Sequence, residues 1–152
     1  MPNPVDNQYA EIKAACLRLL TRREHSQQEL LSKLVLKGYS KEHSLPVIEA
    51  LSQQDWQNDQ RYAESYVRNC IRRGYGPIYI KQGLRQQDVN DVDVEGIIQE
   101  SVGSWMAQIE QVYVKKYGQK PIVGRNDQAK RNRFLLQRGF SQAMISALLN
   151  HP

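Results

Sequence analysis

Apolar side chains recur along this chain at steps of three and four residues rather than two, the spacing of helices with one buried face. Nine such stretches can be read: 6–22, 26–37, 41–54, 59–73, 77–87, 91–102, 104–117, 127–138 and 142–149. No alternating pattern of a half-buried strand interrupts them. The first stretch carries a stripe of Ala10, Ala14, Leu17 and Leu20. The fourth carries Ala63, Tyr66, Val67, Cys70 and Ile71, and the seventh Trp105, Ile109, Val112 and Tyr113. Start signals fall between the stretches. Ser26-Gln27-Gln28-Glu29 reads as a capping box, in which the serine oxygen and the glutamate satisfy each other's free backbone donors. Gly76-Pro77 stands at the matching place in the second copy, where proline suits the first helical position.

The pattern repeats. Leu34-Val35-Leu36-Lys37-Gly38-Tyr39-Ser40 aligns without gaps on Leu84-Arg85-Gln86-Gln87-Asp88-Val89-Asn90 and on Leu135-Leu136-Gln137-Arg138-Gly139-Phe140-Ser141, at offsets of 50 and 51 residues. Each segment reads as a helix end at a left-handed position (Gly38, Asp88, Gly139), an apolar residue tucked back, and an N-cap (Ser40, Asn90, Ser141) opening the next helix. The pairs Val47-Ile48, Ile97-Ile98 and Leu148-Leu149 follow in register. The predicted fold is therefore all-α, with three tandem three-helix repeats at 6–54, 59–102 and 104–150 forming an elongated, curved array. The connector 119–126, with Pro121 and Gly124, reads as a flexible hinge. Gly83 inside the helix 77–87 costs helix stability, and close helix packing would explain it.

Charge changes this picture more than composition does. The net +5 lies wholly in residues 119–152, where six basic residues face only Asp127. Between Arg61 and Arg85 six basic residues stand against Glu64, and from Asp88 to Glu110 there are six acids and no base. Such segregation predicts signed faces that can meet a polyanion. Arg61, Arg68 and Arg72 share one face opposite the apolar stripe of their helix, and Arg73, Lys81 and Arg85 extend it. Arg125, Lys130, Arg131, Arg133 and Arg138 form the densest basic cluster. Cations in the first half of the helix 127–138 oppose the helix dipole, which points to anion contact there, with phosphate and an acidic protein surface both open. Tyr75 and Tyr79 could stack on bases, although packing between helices accounts for them as well.

Catalytic chemistry has no visible foothold. His25, His43 and His151 fall in turns or at the terminus, none at metal-ligand spacing from cysteine or carboxylate. No glycine-rich phosphate loop or nucleophile elbow occurs. The sequence thus predicts a non-enzyme without metal or cofactor. Cys16 and Cys70, each among apolar neighbours, read as buried thiols of a reducing compartment. No apolar run approaches the roughly 20 residues of a membrane span. The start Met1-Pro2-Asn3-Pro4-Val5-Asp6 lacks a secretory pattern, so a cytoplasmic, monomeric protein is expected.

Two blocks of residues resemble a known family. They are Arg22-Arg23-Glu24-His25-Ser26 with Glu29, Leu30, Lys33, Leu34, Lys37 and Gly38, then Asp59, Arg61-Tyr62-Ala63-Glu64 and Arg68, followed by Gly74-Tyr75-Gly76-Pro77, Ile80 and Leu84. In this order and spacing they resemble RecX, regulators of the RecA recombinase. The resemblance covers about residues 10–100 strongly and the third repeat more loosely. It implies a protein that binds RecA and its nucleoprotein filament on single-stranded DNA, limits filament extension, and damps strand exchange, ATP hydrolysis and co-protease activity. It also implies DNA binding, to single strands, with duplex left open. The matching cations Arg22, Arg23, Lys33, Lys37, Arg61, Arg68, Arg72 and Arg73 become candidate contacts. Arg22-Arg23, Lys37 and Arg72-Arg73 also sit at helix C-termini, where cations are favourable in any case. The alternative is a free-standing DNA-binding regulator that places one helix of a three-helix unit in a groove.

Overall fold

A computed structural model describes residues 4–150 of the chain; His151 lies outside them. Among the described residues there are nine helices and no strand: α1 Pro4–Arg22, α2 Gln27–Leu36, α3 Lys41–Gln53, α4 Asp59–Arg72, α5 Pro77–Gln86, α6 Val94–Ser101, α7 Trp105–Tyr117, α8 Gly124–Gln137 and α9 Gln142–Leu149. Caps set most of these boundaries. Ser26 and Glu29 close the capping box of α2, while Ser40 and Ser141 accept from His43 N and Met144 N to start α3 and α9. Gly38, Asp88 and Gly139 all take positive φ (100°, 58° and 96°), as the aligned helix stops require.

Several local features differ from the sequence pattern. Asn90 is not a cap: Asp93 accepts from Gly96 N at 2.9 Å, so α6 begins at Val94. Aspartate is as good an N-cap as asparagine, and the later start spares Val92 and Asp93 from helical geometry. Next, α8 begins at Gly124 rather than 127, because Asp127 reaches back to accept from Val123 N at 2.9 Å. The preceding connector is tied down too, since Arg131 donates to the carbonyls of Lys120 and Pro121. Finally, His43 belongs to the first turn of α3 rather than to a loop.

The chain packs into two compact units. One gathers the residues up to Ser65 together with Gln87–Asp91; the other gathers Tyr66–Gln86 and the chain from Val92 on. The core of the first is Ile12, Ala15 and Cys16 of α1, Leu30 and Leu34 of α2, and Val47, Ile48 and Leu51 of α3. Here α1 is rotated relative to the expected stripe, with Ala10 and Ala14 facing solvent. Burying Ile12 and Leu19 removes more apolar area from water than burying two alanines. In the second unit Ile109, Leu135, Phe140 and Ile145 form a core flanked by Trp105, Val112, Tyr113 and Leu148.

Two close approaches hold the second unit together. The start of α5 docks on the α8–α9 turn, where Gly76 N donates to Arg138 O at 2.7 Å and Ile78 N to Gly139 O at 2.9 Å. Donors left over at one helix start thus meet carbonyls left over at another helix end. Gly83 lies against Tyr66, whose hydroxyl oxygen would stand 1.8 Å from an added Cβ. That contact is the close packing anticipated for this glycine.

Candidate nucleic-acid interface

The residues that carry the family resemblance in the first unit build one hydrogen-bonded network. Arg23 grips Glu29 with both guanidinium nitrogens, at 3.1 and 2.8 Å. Burial raises the Glu29 carboxyl, but Arg23 and the Ser26 amide outweigh it and hold it below the usual range. His25 is buried, with Nδ1 3.1 Å from Arg23 O and Nε2 3.0 Å from Lys33 Nζ. A lysine ammonium can only donate, so Nε2 accepts, Nδ1 carries the proton, and the ring is neutral. Burial pushes the imidazole pKa down accordingly. Arg61 donates to Glu24 at 3.0 Å, pairs with Asp55 at 3.0 Å and caps the Asp55 carbonyl. Asp59 accepts from Gln27 N and from the side chain of buried Gln57. Arg23, Lys33 and Arg61 therefore have internal partners, whereas Arg22 and Lys37 are exposed at the ends of α1 and α2. Gln57 escapes sequence reading altogether, because a glutamine between two helices carries no pattern.

In the second unit Arg68, Arg72 and Arg73 are exposed along α4 and at its end. Lys81 pairs with Glu95 at 3.6 Å across well-solvated side chains, a contact of small energetic weight. Arg85 is exposed. Tyr75 and Tyr79 stack on each other, centroids 3.8 Å apart and planes within 8°. Arg73 and Arg138 both lie over the Tyr75 ring, at 5.3 and 5.0 Å. Tyr75, backed by Tyr79, thus serves as a rest for guanidinium groups.

On α8 the predicted basic cluster separates into two kinds of residue. Arg131 is 3% exposed and fully engaged. It bonds Asp127, the Tyr113 hydroxyl at 2.6 Å and the Lys120 and Pro121 carbonyls, and its guanidinium lies 4.4 Å from the Tyr117 ring centre. Its role in the structure is to anchor α7, α8 and their connector. The Val123 amide, and then Arg131, hold the Asp127 carboxyl below its ordinary range. Arg125, Lys130 and Arg133 are exposed, and Arg125 and Arg133 flank a shallow groove floored by Ala129 and Leu136. Because α8 starts three residues early, Lys130 is mid-helix, and the dipole argument does not apply to it.

Cys16 and Cys70 are buried free thiols, and burial pushes Cys16 up to about 11 against the pull of Lys37. Among the described residues no helix is long and apolar enough to cross a membrane.

Comparison with known proteins matches three family models in chain order: "RecX, first three-helix domain" over 13–51, "RecX, second three-helix domain" over 58–96 and "RecX, third three-helix domain" over 106–149. Proteins named Regulatory protein RecX from Halorhodospira halophila and Pseudomonas fluorescens are 35% and 37% identical to it. The matches cover 90% and 91% of this chain and 84% and 90% of theirs. Among solved structures, a crystal structure of regulatory protein RecX superimposes with a TM-score of 0.71 at 23% identity, over 96% of this chain and 73% of that one. RecX from Lactobacillus salivarius gives 0.66 at 24% identity, over 95% and 96%. At such identities the two structures speak to the fold.

Proposed function

The chain belongs to the RecX family of regulatory proteins, and on that premise we propose that it binds RecA and RecA–DNA filaments and lowers the recombinase, ATPase and co-protease activities of RecA. In this reading it is a cytoplasmic monomer that catalyses nothing and uses no cofactor. Its repeats, taken as 6–54, 59–102 and 104–150, supply successive contacts to protein and to DNA. The observation that carries the reading is the run of three family domains in order from residue 13 to 149. Charge agrees with it: Arg72, Arg73, Arg125, Lys130 and Arg133 stay at the surface without an acidic partner among the described residues. Cations kept exposed in this way suit a polyanionic partner.

The test is steady-state ATP hydrolysis by RecA on single-stranded DNA, with this protein added well below one copy per RecA. Hydrolysis should fall progressively. Unchanged hydrolysis at a large excess overturns the proposal.

A further inference from the structure

The C-terminal ends of α4, α7 and α8 surround a cleft of about 410 Å³ in the second unit. Five cations line it: Arg72, Arg73, Lys115, Lys116 and Arg138. Among the described residues no acid does, and none of the five forms an ion pair there. Helix dipoles explain part of this, because each C-terminus presents about half a negative charge. Three of them offset roughly one and a half of the five positive charges, leaving more than three uncompensated.

The repeat itself shows that the excess is a departure from its own framework. Arg73 stands 50 residues after Arg23, and Tyr79 stands 50 after Glu29. In the first copy Glu29 neutralises Arg23 in a two-pronged ion pair. In the second the carboxylate is replaced by a tyrosine stacked on Tyr75, and Arg73 rests on that pair without a counter-ion. Arg138 is fixed beside it by donating to Arg73 O at 2.9 Å and by lying over the rings of Tyr75 and Phe134. The guanidinium groups are thus held in place in advance, which lowers the ordering cost of binding an anion.

We propose that this cleft, between the ends of α4, α7 and α8, seats the phosphodiester backbone of a single nucleic-acid strand. The proposal rests on the DNA-binding arm of the function given above and assigns it a place. A single strand is favoured because the cations converge on a recess, whereas duplex readers present a projecting helix. Nucleic acid is favoured over an acidic peptide because Val112 and the half-buried Phe134 add apolar surface beside the charges. Sugar and base can cover such surface, and a row of carboxylates cannot.

The experiment uses the full chain without RecA and follows the fluorescence anisotropy of a labelled oligo-dT across a range of salt concentrations. The variant Arg72→Gln/Lys115→Gln/Lys116→Gln removes three exposed charges that make no internal ion pair. It should bind on the order of tenfold more weakly at low salt, and its log–log salt slope should be shallower by about 2, at roughly 0.7 per lost contact. Arg18→Gln/Lys41→Gln/Lys120→Gln makes the same change of net charge elsewhere and should leave the slope near that of the parent. Equal losses in the two variants, or none in the first, overturn the cleft while leaving DNA binding intact. No binding by the parent overturns both the cleft and that arm of the function. Displacement of the oligonucleotide by polyglutamate at the same charge concentration as by oligo-dT would show an acidic protein to be the occupant and also overturn the proposal. The RecA ATPase assay proceeds independently of all three outcomes.

Discussion

Replacing Gly139 by alanine measures how much the docking of α5 on the α8–α9 turn contributes to stability. Two effects combine at this position. Gly139 has φ +96°, and placing an L side chain there costs about 1–2 kcal/mol. An added Cβ would also lie 2.5 Å from Tyr79 Cβ and 2.6 Å from Tyr79 N. The second of these is backbone, so no side-chain rotation relieves it, and the start of α5 must back away. Overpacking of this kind costs about 1–3 kcal/mol. The movement also loosens the bonds from Gly76 N and Ile78 N, at 2.7 and 2.9 Å, worth about 1 kcal/mol each. The expected loss is about 3–5 kcal/mol. Gly38 is the control, because it holds the same place in the first repeat with φ +100° and, its chain neighbours aside, no atom of the described residues lies within 4 Å of an added Cβ. Gly38→Ala should cost only the backbone part, about 1–2 kcal/mol. Urea unfolding of the two variants, followed by far-UV circular dichroism, separates the two values. Equal losses, or a Gly139→Ala loss under about 1.5 kcal/mol, would show that the contact contributes nothing beyond the turn.

Other consequences can be checked with similar means. Arg131→Met should lower the thermal midpoint by roughly 5 °C or more, while Lys130→Gln should move it by under about 2 °C, since only the first strands Asp127 and three carbonyl or hydroxyl acceptors. Equal shifts would mean that the buried guanidinium is not the anchor of the α7–α8 connector. The native chain keeps His25 below its ordinary value of 6.5 through burial, so the unfolded chain takes up the proton first as pH falls. That contribution to stability is complete above 6.5 and is lost on descending through it, so the urea midpoint should drop between pH 7 and 5.5 by more in the parent than in His25→Gln; identical drops would refute the assignment. Cys16 and Cys70 should resist iodoacetamide at pH 8 until urea is added, because both are buried and the Cys16 thiol sits near 11. Rapid labelling of the native protein would contradict that burial.

The parts of the fold that could be read from the chain were those written in local chemistry. Capping serines, left-handed stops and the three- and four-residue stripe act within one turn of a helix, so Ser26, Ser40, Gly38 and Gly139 announced α2, α3 and the turns beside them. Where two local solutions compete, pattern alone cannot choose. Asn90 and Asp93 are both good caps, and the packing of Val94, Ile97 and Ile98 settles on the later one. In α1 a stripe through Ala10 and Ala14 is as regular as one through Ile12 and Ala15, and buried volume decides. The partners of the cations were less legible still. Arg131 sits amid basic residues in sequence, but its carbonyl acceptors lie ten and eleven residues back in an irregular connector. Arg61 finds Glu24 at a separation of 37 residues, and no periodicity encodes that meeting.

The three copies keep one framework and change what it touches. The aligned position in the second helix of each copy is Glu29, Tyr79 and Lys130, the third helical residue in α2 and α5 but mid-helix in α8. Glutamate turns inward, completes the cap and neutralises Arg23, so the first copy closes upon itself. Tyrosine carries no counter-charge at neutral pH; here it stacks and leaves Arg73 charged at the edge of a cleft. Lysine leaves the position exposed and positive, and the capping task passes to Asp127 through Val123 N. The core residues behind these positions remain apolar in all three: Leu34, Leu84 and Leu135 are each buried. Those leucines and the turns hold the framework, while a single surface-side position decides whether a copy consumes its own charge or leaves it exposed. A Tyr79→Glu substitution would convert the second copy towards the first, giving Arg73 an internal counter-ion. By the logic of the cleft it should weaken oligonucleotide binding while leaving the α4–α5 framework in place.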